Sequence, residues 1–426
     1  MKNLISIFLV ALSSWALAQT HSGANYDEAH VPTYTLPDPL VMENGQAVHT
    51  PSQWAQQRRP ELLSLFSEYV YGHTLGDDAM AMTHEIIAVD SQALGGLATR
   101  KEVALYLTAD HSRPVHVLIY LPNNRSGAVP VFMGLNYAGN QAVSTDPGIR
   151  ITTRWTRFAN QPGFPDGYAN AQSRGAYASR WPVELILSRG YGVVTAYYGD
   201  LQLDRPDIDQ MDDSFHRWFT QQTGKPHDQR SWGAIGIWAW QLSRMLDYLE
   251  TDHDIDSKRV AVIGHSRLGK TALWAAAQDT RFAMAISNNS GEGGAAIARR
   301  KYGERFENLN RSFPHWFNGN FKVFNNQEDQ LPVDFHELLS LVAPRPLYVA
   351  SGSEDRWADP KGEYLSLYHA GPVYRLYQQP VLQEAEPPAV GEVRTVGSLG
   401  YHCRPGKHDI NRYDWERYLN FADAHL

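Results

Sequence analysis

The chain has 426 residues, 43% hydrophobic and 20% charged, with 33 glycines and 24 prolines, enough apolar mass for a large buried core and unlike a disordered or collagen-like polymer. Lys and Arg number 38 against 46 Asp and Glu, a net charge of -8, and no dense basic run occurs, which argues against a scaffold held on nucleic acid by phosphate contacts. Length alone allows roughly two or three domains.

The N-terminus bears on the compartment. Met1-Lys2-Asn3 is a short positive start, Leu4 to Leu12 is apolar, and Ala16-Leu17-Ala18 offers small residues for cleavage. This pattern predicts an export signal over residues 1–18, with Gln19 as the mature terminus and a periplasmic or secreted protein. The stretch is too short, and too interrupted by Ser13-Ser14, for the roughly 20 apolar residues of a membrane span. No later segment is long and apolar enough either, so no membrane association is expected once the signal is removed. Cys403 is the sole cysteine; no internal disulfide can form, and core burial must hold the fold.

From Gln19 to about Pro114 the expected organisation is an elaboration on one domain that runs from 19 to 426. It contains an amphipathic helix over Trp54 to Tyr69 and an alternating strand over Lys101 to Leu107. Short β-rich runs follow at Val115 to Tyr120, Val129 to Leu135, Gly192 to Tyr197, Val260 to Ile263, Ala283 to Ser287 and Leu347 to Ala350. Helical patterns separate or follow them at Trp232 to Leu249, Leu268 to Ala277 and Tyr413 to Leu426. Such alternation predicts an α/β fold with a parallel sheet covered on both faces. Thr152 to Arg180 and Gln383 to Ser398 fit no regular element and are expected to be long surface loops.

The most informative stretch is Val260-Ala261-Val262-Ile263-Gly264-His265-Ser266-Arg267-Leu268-Gly269-Lys270, a β-branched strand running through glycine and serine into a helix. It predicts a nucleophile elbow: a sharp strand-to-helix turn lifts the serine hydroxyl above the sheet, and backbone N–H groups at the helix start face the oxygen that becomes charged. The usual pattern is G-x-S-x-G; here the second glycine comes one place late, with Leu268 where it is expected. The bland alternative is that Ser266 merely caps a helix.

A serine hydroxyl needs a base, and the base needs a carboxylate. In the strand-helix order of such enzymes the histidine comes last, and His408 lies in a Gly/Pro loop, Arg404-Pro405-Gly406-Lys407-His408-Asp409, just before the final helix. His402 and His425 compete. For the acid, Asp355 follows the strand Leu347 to Ala350, while Glu292 follows Ala283 to Ser287 in Asn288-Asn289-Ser290-Gly291-Glu292-Gly293-Gly294. Asp355 is preferred and Glu292 stays open, with Glu354 and Asp359 as lesser rivals.

With those residues assembled, the sequence resembles the glucuronoyl esterases, family fifteen of the carbohydrate esterases, and their bacterial members in particular. The resemblance runs from about Val115 to Leu426 and rests on Gly264-His265-Ser266-Arg267-Leu268-Gly269-Lys270, Ser290-Gly291-Glu292-Gly293-Gly294, Glu354-Asp355-Arg356-Trp357-Ala358-Asp359-Pro360 and Gly406-Lys407-His408-Asp409. It implies an α/β-hydrolase three-layer sandwich, no cofactor or metal in the reaction, and cleavage of esters between 4-O-methyl-D-glucuronic acid on xylan and lignin alcohols. The partner is then a glucuronoxylan or lignin-carbohydrate ester, met by a monomer. It further implies Ser266 as nucleophile, His408 as base, Arg267 as oxyanion stabiliser, Lys270 as a ligand of sugar hydroxyls, and Glu304 with Trp357 as the grip on the uronic ring. Many members carry a catalytic glutamate immediately before Ser-Gly-x-Gly-Gly, where this chain has Asn289. The acid is therefore expected on the loop of Asp355, or at Glu292. Phe313-Pro314-His315-Trp316-Phe317 and Gly134 to Asn140 are candidate walls of the pocket. The rival readings are an acetyl-xylan or other carbohydrate esterase, a peptidase, and a uronate-binding relative that has lost turnover.

Overall fold

The computed structural model describes residues 23–74, 82–107 and 111–426; the expected export segment lies outside them. Ten strands form one sheet in the order β1-β2-β3-β5-β4-β6-β7-β8-β10-β9. They are β1 (Thr83–Gln92), β2 (Ala98–Tyr106), β3 (Pro114–Pro122), β4 (Val129–Asn136), β5 (Gly192–Tyr197), β6 (Ile255–His265), β7 (Met284–Asn288), β8 (Leu347–Gly352), β9 (Val393–Val396) and β10 (Leu399–Arg404). From β5 through β10 each neighbouring pair is parallel. Strands β1, β2 and β3 are antiparallel to their neighbours, so the run Val115 to Tyr120 belongs to a mixed flank rather than to the parallel centre. Gln383 to Ser398 is not purely loop either. It holds β9, a short edge strand antiparallel to β10 whose side chains alternate between half-buried and exposed.

The central strands read as unbroken apolar runs because both sheet faces are covered. Along β4, β6 and β8, Val131, Met133, Val260, Val262, Leu347 and Val349 enter one core, and Phe132, Ala261, Ile263, Tyr348 and Ala350 enter another. This is the period-two alternation of a pleated strand with two dry faces. The first core receives the helices Ala234–Leu249 and Arg267–Gln278, with Trp238, Leu242, Leu273 and Trp274 fully or almost fully buried. The second receives the closing helix Arg412–His425 through Trp415, Tyr418 and Leu419.

The N-terminal helical stretch, residues 51–71, has wide turns at both ends of its regular part, Arg59–Phe66. Its buried face, Trp54, Leu62, Phe66 and Tyr71, joins the first core. Tyr71 stacks on Trp274 with ring centroids 4.6 Å apart, a contact worth about 1 kcal/mol beyond area burial. Its hydroxyl donates to Gly293 O at 2.9 Å. This segment thus braces both the helix that follows Ser266 and the glycine-rich turn beyond β7. Among the described residues no helix is long and apolar enough to cross a membrane.

Candidate active site

β6 ends at His265, the helix Arg267–Gln278 begins one residue after Ser266, and Ser266 occupies the turn at φ 57°, ψ -129°. A side chain at positive φ costs about 1–3 kcal/mol and persists only where its surroundings impose it. Here Ser266 N–H donates to Asn288 O at 2.8 Å, and Ser266 O accepts from Gly269 and Lys270 N–H at 2.8 and 3.2 Å. Glycine is obligatory at 264, where a Cβ would sit 1.8 Å from Leu268 O; at 269 a Cβ would meet Ser290 Cβ at 2.9 Å. The displaced second glycine therefore serves the packing of the elbow helix onto the turn after β7. The first helical N–H groups, Arg267 included, have no acceptor within the helix.

His408 stands beside this elbow. Its ring lies 4.6 Å, centroid to centroid, from the ring of His265, the neighbour of Ser266, and its Nδ1 lies 2.6 Å from Asp355 Oδ2. Two loops at the C-terminal ends of β8 and β10 clasp each other to make this pair: Ser353 N–H donates to Arg404 O and Glu354 N–H to Gly406 O, both at 2.9 Å. A Cβ at Gly352 would approach Gly406 O and Lys407 O to 2.9 Å, so the clasp needs glycine there. Arg404 donates to Lys407 O at 2.5 Å and Asp409 O at 2.7 Å and pairs with buried Asp414, which fixes the loop that carries His408.

Asp355 is 6% exposed. Burial alone would raise its carboxyl, but hydrogen bonds from His408 and Asn289 outweigh that and hold it below the ordinary carboxylate range. The Asn289 amide donates to the same Oδ2 at 2.7 Å. Asn289, from the turn after β7, is thus a donor to the acid of the loop after β8. Glu292 does not join this pair. Its buried carboxylate interacts with Glu328, Asp334, Glu304 and Lys270, and burial first, then those acids, pushes it well above the usual range. His402 is accounted for by Asp414 at 2.9 Å and Tyr348 at 2.9 Å. Asp359 caps a helix and pairs with Arg300.

Arg267 lies across the elbow, with its guanidinium carbon 4.6 Å from the centroid of Trp316 and its Nη1 on Asp204 Oδ2. Asp204 was not anticipated from sequence. Fully buried, it also receives Arg157 at 2.7 Å, Tyr198 at 3.0 Å, and His315 and Trp316 at 2.8 Å each. Those donors overcome the desolvation of the carboxyl and keep its affinity for protons low. Arg267 Nε is buried without a hydrogen-bond partner. Tyr137, from the segment Gly134 to Asn140, lies 5.7 Å under the guanidinium and donates to His265 O, so that segment and the 313–317 run both wall the elbow.

Lys270 is 3% exposed. Its ammonium donates to Ser290 O at 2.5 Å and Glu292 O at 2.6 Å, and reaches Glu304 Oε2 at 3.4 Å. These contacts engage all three of its donors inside the protein, a bracing position rather than an open one. Trp357 Nε1 donates to Glu304 Oε1 at 2.9 Å, so Lys270, Glu304 and Trp357 form one connected edge. Burial is the main cause that raises the Glu304 carboxyl, and Lys270 opposes it.

Beneath the turn sits Glu363, which accepts from Gly291 N–H at 2.9 Å and Ser351 Oγ at 2.6 Å. Burial foremost, with the charge of Asp355 adding, pushes its pKa up to about 8. Between about pH 4.5 and 8 the folded chain holds a proton there that the unfolded chain has released, so stability falls as pH rises through that window. Thermal melts at pH 5 and pH 8 are expected to show a smaller loss for Glu363→Gln than for the unaltered protein. Equal losses would contradict the assignment.

A ten-stranded, mostly parallel sheet with a serine on the turn after β6 and a histidine after the last parallel strand defines an α/β-hydrolase. A family model described as glucuronyl esterase, fungi, matches residues 202–377. A carbohydrate esterase from an unknown prokaryotic organism is 45% identical over 408 residues, covering 95% of this chain and 92% of that protein. The structure of a glucuronoyl esterase from Solibacter usitatus superposes with a TM-score of 0.87 at 44% identity, over 93% of this chain and 100% of that one. A 4-O-methyl-glucuronoyl methylesterase of Cerrena unicolor is 26% identical over 349 residues, 78% of this chain and 61% of that protein. The chain belongs to the glucuronoyl esterases, carbohydrate esterase family fifteen.

Proposed function

We propose that the protein is a serine esterase that hydrolyses esters of 4-O-methyl-D-glucuronic acid, the xylan side chain, with lignin-type alcohols. The observation that carries this reading is the strained Ser266 beside the His408–Asp355 pair, with an arginine held by Asp204 across the elbow. His408 takes the Ser266 proton as the hydroxyl oxygen attacks the uronoyl carbonyl. Asp355 holds the imidazole by Nδ1 and steadies its charge. The Arg267 guanidinium and the N–H groups at the helix start receive the oxyanion. The protonated imidazole then gives its proton to the departing alcohol, and water, activated by the same imidazole, releases the uronate from Ser266. Glu304 and Trp357 bind the sugar ring, and Lys270 keeps Glu304 and the glycine-rich turn in place.

Two features support a uronate over a simple acetyl ester: a fixed cation beside the reacting carbonyl and a polar edge one helical turn from the serine. An acetyl group has no hydroxyls to occupy that edge. Hydrolysis of methyl and benzyl glucuronate against p-nitrophenyl acetate tests the assignment: kcat/KM is expected to favour the glucuronates. A preference for the acetate would overturn the substrate class while leaving the serine mechanism intact. Binding of glucuronoxylan without cleavage would instead establish a non-catalytic role. The pattern of residues 1–18 supports export, so we place the protein in the periplasm or outside the cell, as a single domain acting as a monomer.

A further inference from the structure

Away from the Ser266 site, Asp209, His216 and His227 each present a ligand atom, and these atoms all lie within 4.8 Å of one another. They come from three consecutive elements: the short turn Ile208–Gln210, the first turn of the helix Phe215–Thr223, and the loop that follows it. His216 is 5% exposed, and both of its ring nitrogens are buried with no hydrogen-bond partner. A neutral imidazole has one donor and one acceptor nitrogen, and leaving both unsatisfied in the interior costs about 1–3 kcal/mol each. The ring of His227 faces it at a centroid separation of 3.8 Å, and Asp209 Oδ1 stands 3.7 Å from its Nδ1. His216 and His227 border a pocket of about 430 Å³, also walled by Lys225 and Trp232.

We propose that these three residues bind a divalent transition-metal ion of the zinc type. Two imidazoles and one carboxylate are the donor set such borderline ions prefer, and three protein ligands leave a fourth position for water from the pocket. Tetrahedral zinc with bonds near 2.0–2.1 Å places its ligand atoms about 3.4 Å apart, so atoms now within 4.8 Å of one another must close by up to about 1.4 Å. The exposed side chains of Asp209 and His227 can supply that movement around the buried, fixed His216. The ion satisfies the acceptor nitrogen of His216 and clips the turn, the helix and the loop together. It has no part in the ester chemistry, since none of the three residues touches Ser266, His408 or Arg267.

The test is a calorimetric titration of the untagged, chelator-treated protein with zinc sulfate alone. One ion per chain is expected, with a rise in Tm of about 3 °C at a hundredfold excess of free zinc over Kd. Asp209→Asn and His227→Ala, both at exposed positions and so compatible with folding, are each expected to weaken binding by at least about tenfold. His73→Ala removes a nearby histidine that bonds Glu68 instead and is expected to leave binding unchanged. Cobalt(II) in place of zinc should give the visible absorption of a tetrahedral site, lost in His227→Ala. Absence of stoichiometric uptake, or uptake that survives both Asp209→Asn and His227→Ala, would overturn the proposal. So would uptake lost equally with His73→Ala, which would assign the ion to scattered surface histidines.

Discussion

Ser266→Ala is expected to reduce kcat on benzyl glucuronate by about 10⁵-fold or more, while KM changes little. The size follows from the roles proposed for the neighbours. With the hydroxyl gone no acyl-enzyme forms, and what remains is the stabilisation that Arg267 and the helix N–H groups give to direct attack by water, of order 10³–10⁴ over the uncatalysed rate. Alanine also relieves nothing at the turn, because any side chain at φ 57° carries the same backbone strain. Stability should therefore stay close to that of the unaltered protein, and thermal melting provides the control for folding. Pre-steady-state measurements with a chromogenic glucuronate in excess over enzyme should show no burst of the kind that marks an acyl-enzyme. A variant that kept its burst would remove the serine from the reaction.

What could be read in advance depended on how local the cause was. The elbow was legible because strand, glycine, serine and helix are adjacent in the chain, and His408 because a Gly/Pro loop ends against a helix that closes the fold. The central strands were legible because burial on both faces forces β-branched, apolar runs. β10 was missed: its Gly400, His402 and Arg404 look unlike a core strand, and they are tolerated only because Tyr348 and the buried Asp414 satisfy the polar groups. The helix Pro360–Leu376 was missed because Gly362, Gly371 and Pro372 interrupt its pattern. β1 was missed because its side chains are mostly exposed and show no apolar alternation. Asp204 carried no signal at all, since the arginine it holds is 63 residues away and only the fold joins them. Asn289 is the intermediate case. The sequence excluded it as an acid, but its bond to Asp355 depends on the approach of two loops after β7 and β8.

The contact of His408 with Asp355, supported by Asn289, favours Asp355 over Glu292 as the proposed acid. Asp355→Ala is expected to lower kcat by 10²-fold or more, and up to about 10⁴-fold, the scale reached when the residue that orients a catalytic imidazole is lost. Glu292→Gln should cost far less, because its carboxyl faces other acids and Lys270, not His408. The physical distinction lies in charge. Asp355 is held ionised by His408 and Asn289, and so can stabilise the imidazolium that forms as Ser266 attacks. Burial and neighbouring acids favour the protonated form of Glu292, which can offer no such charge. Asn289→Ala supplies an intermediate test: it leaves the Asp355 carboxylate in place but removes a donor, so kcat should fall modestly and the acid limb of the pH–rate profile should shift. Equal losses for Asp355→Ala and Glu292→Gln would mean that the acid is shared. A larger loss for Glu292→Gln would require the loop of Asp355 to leave His408 when substrate binds.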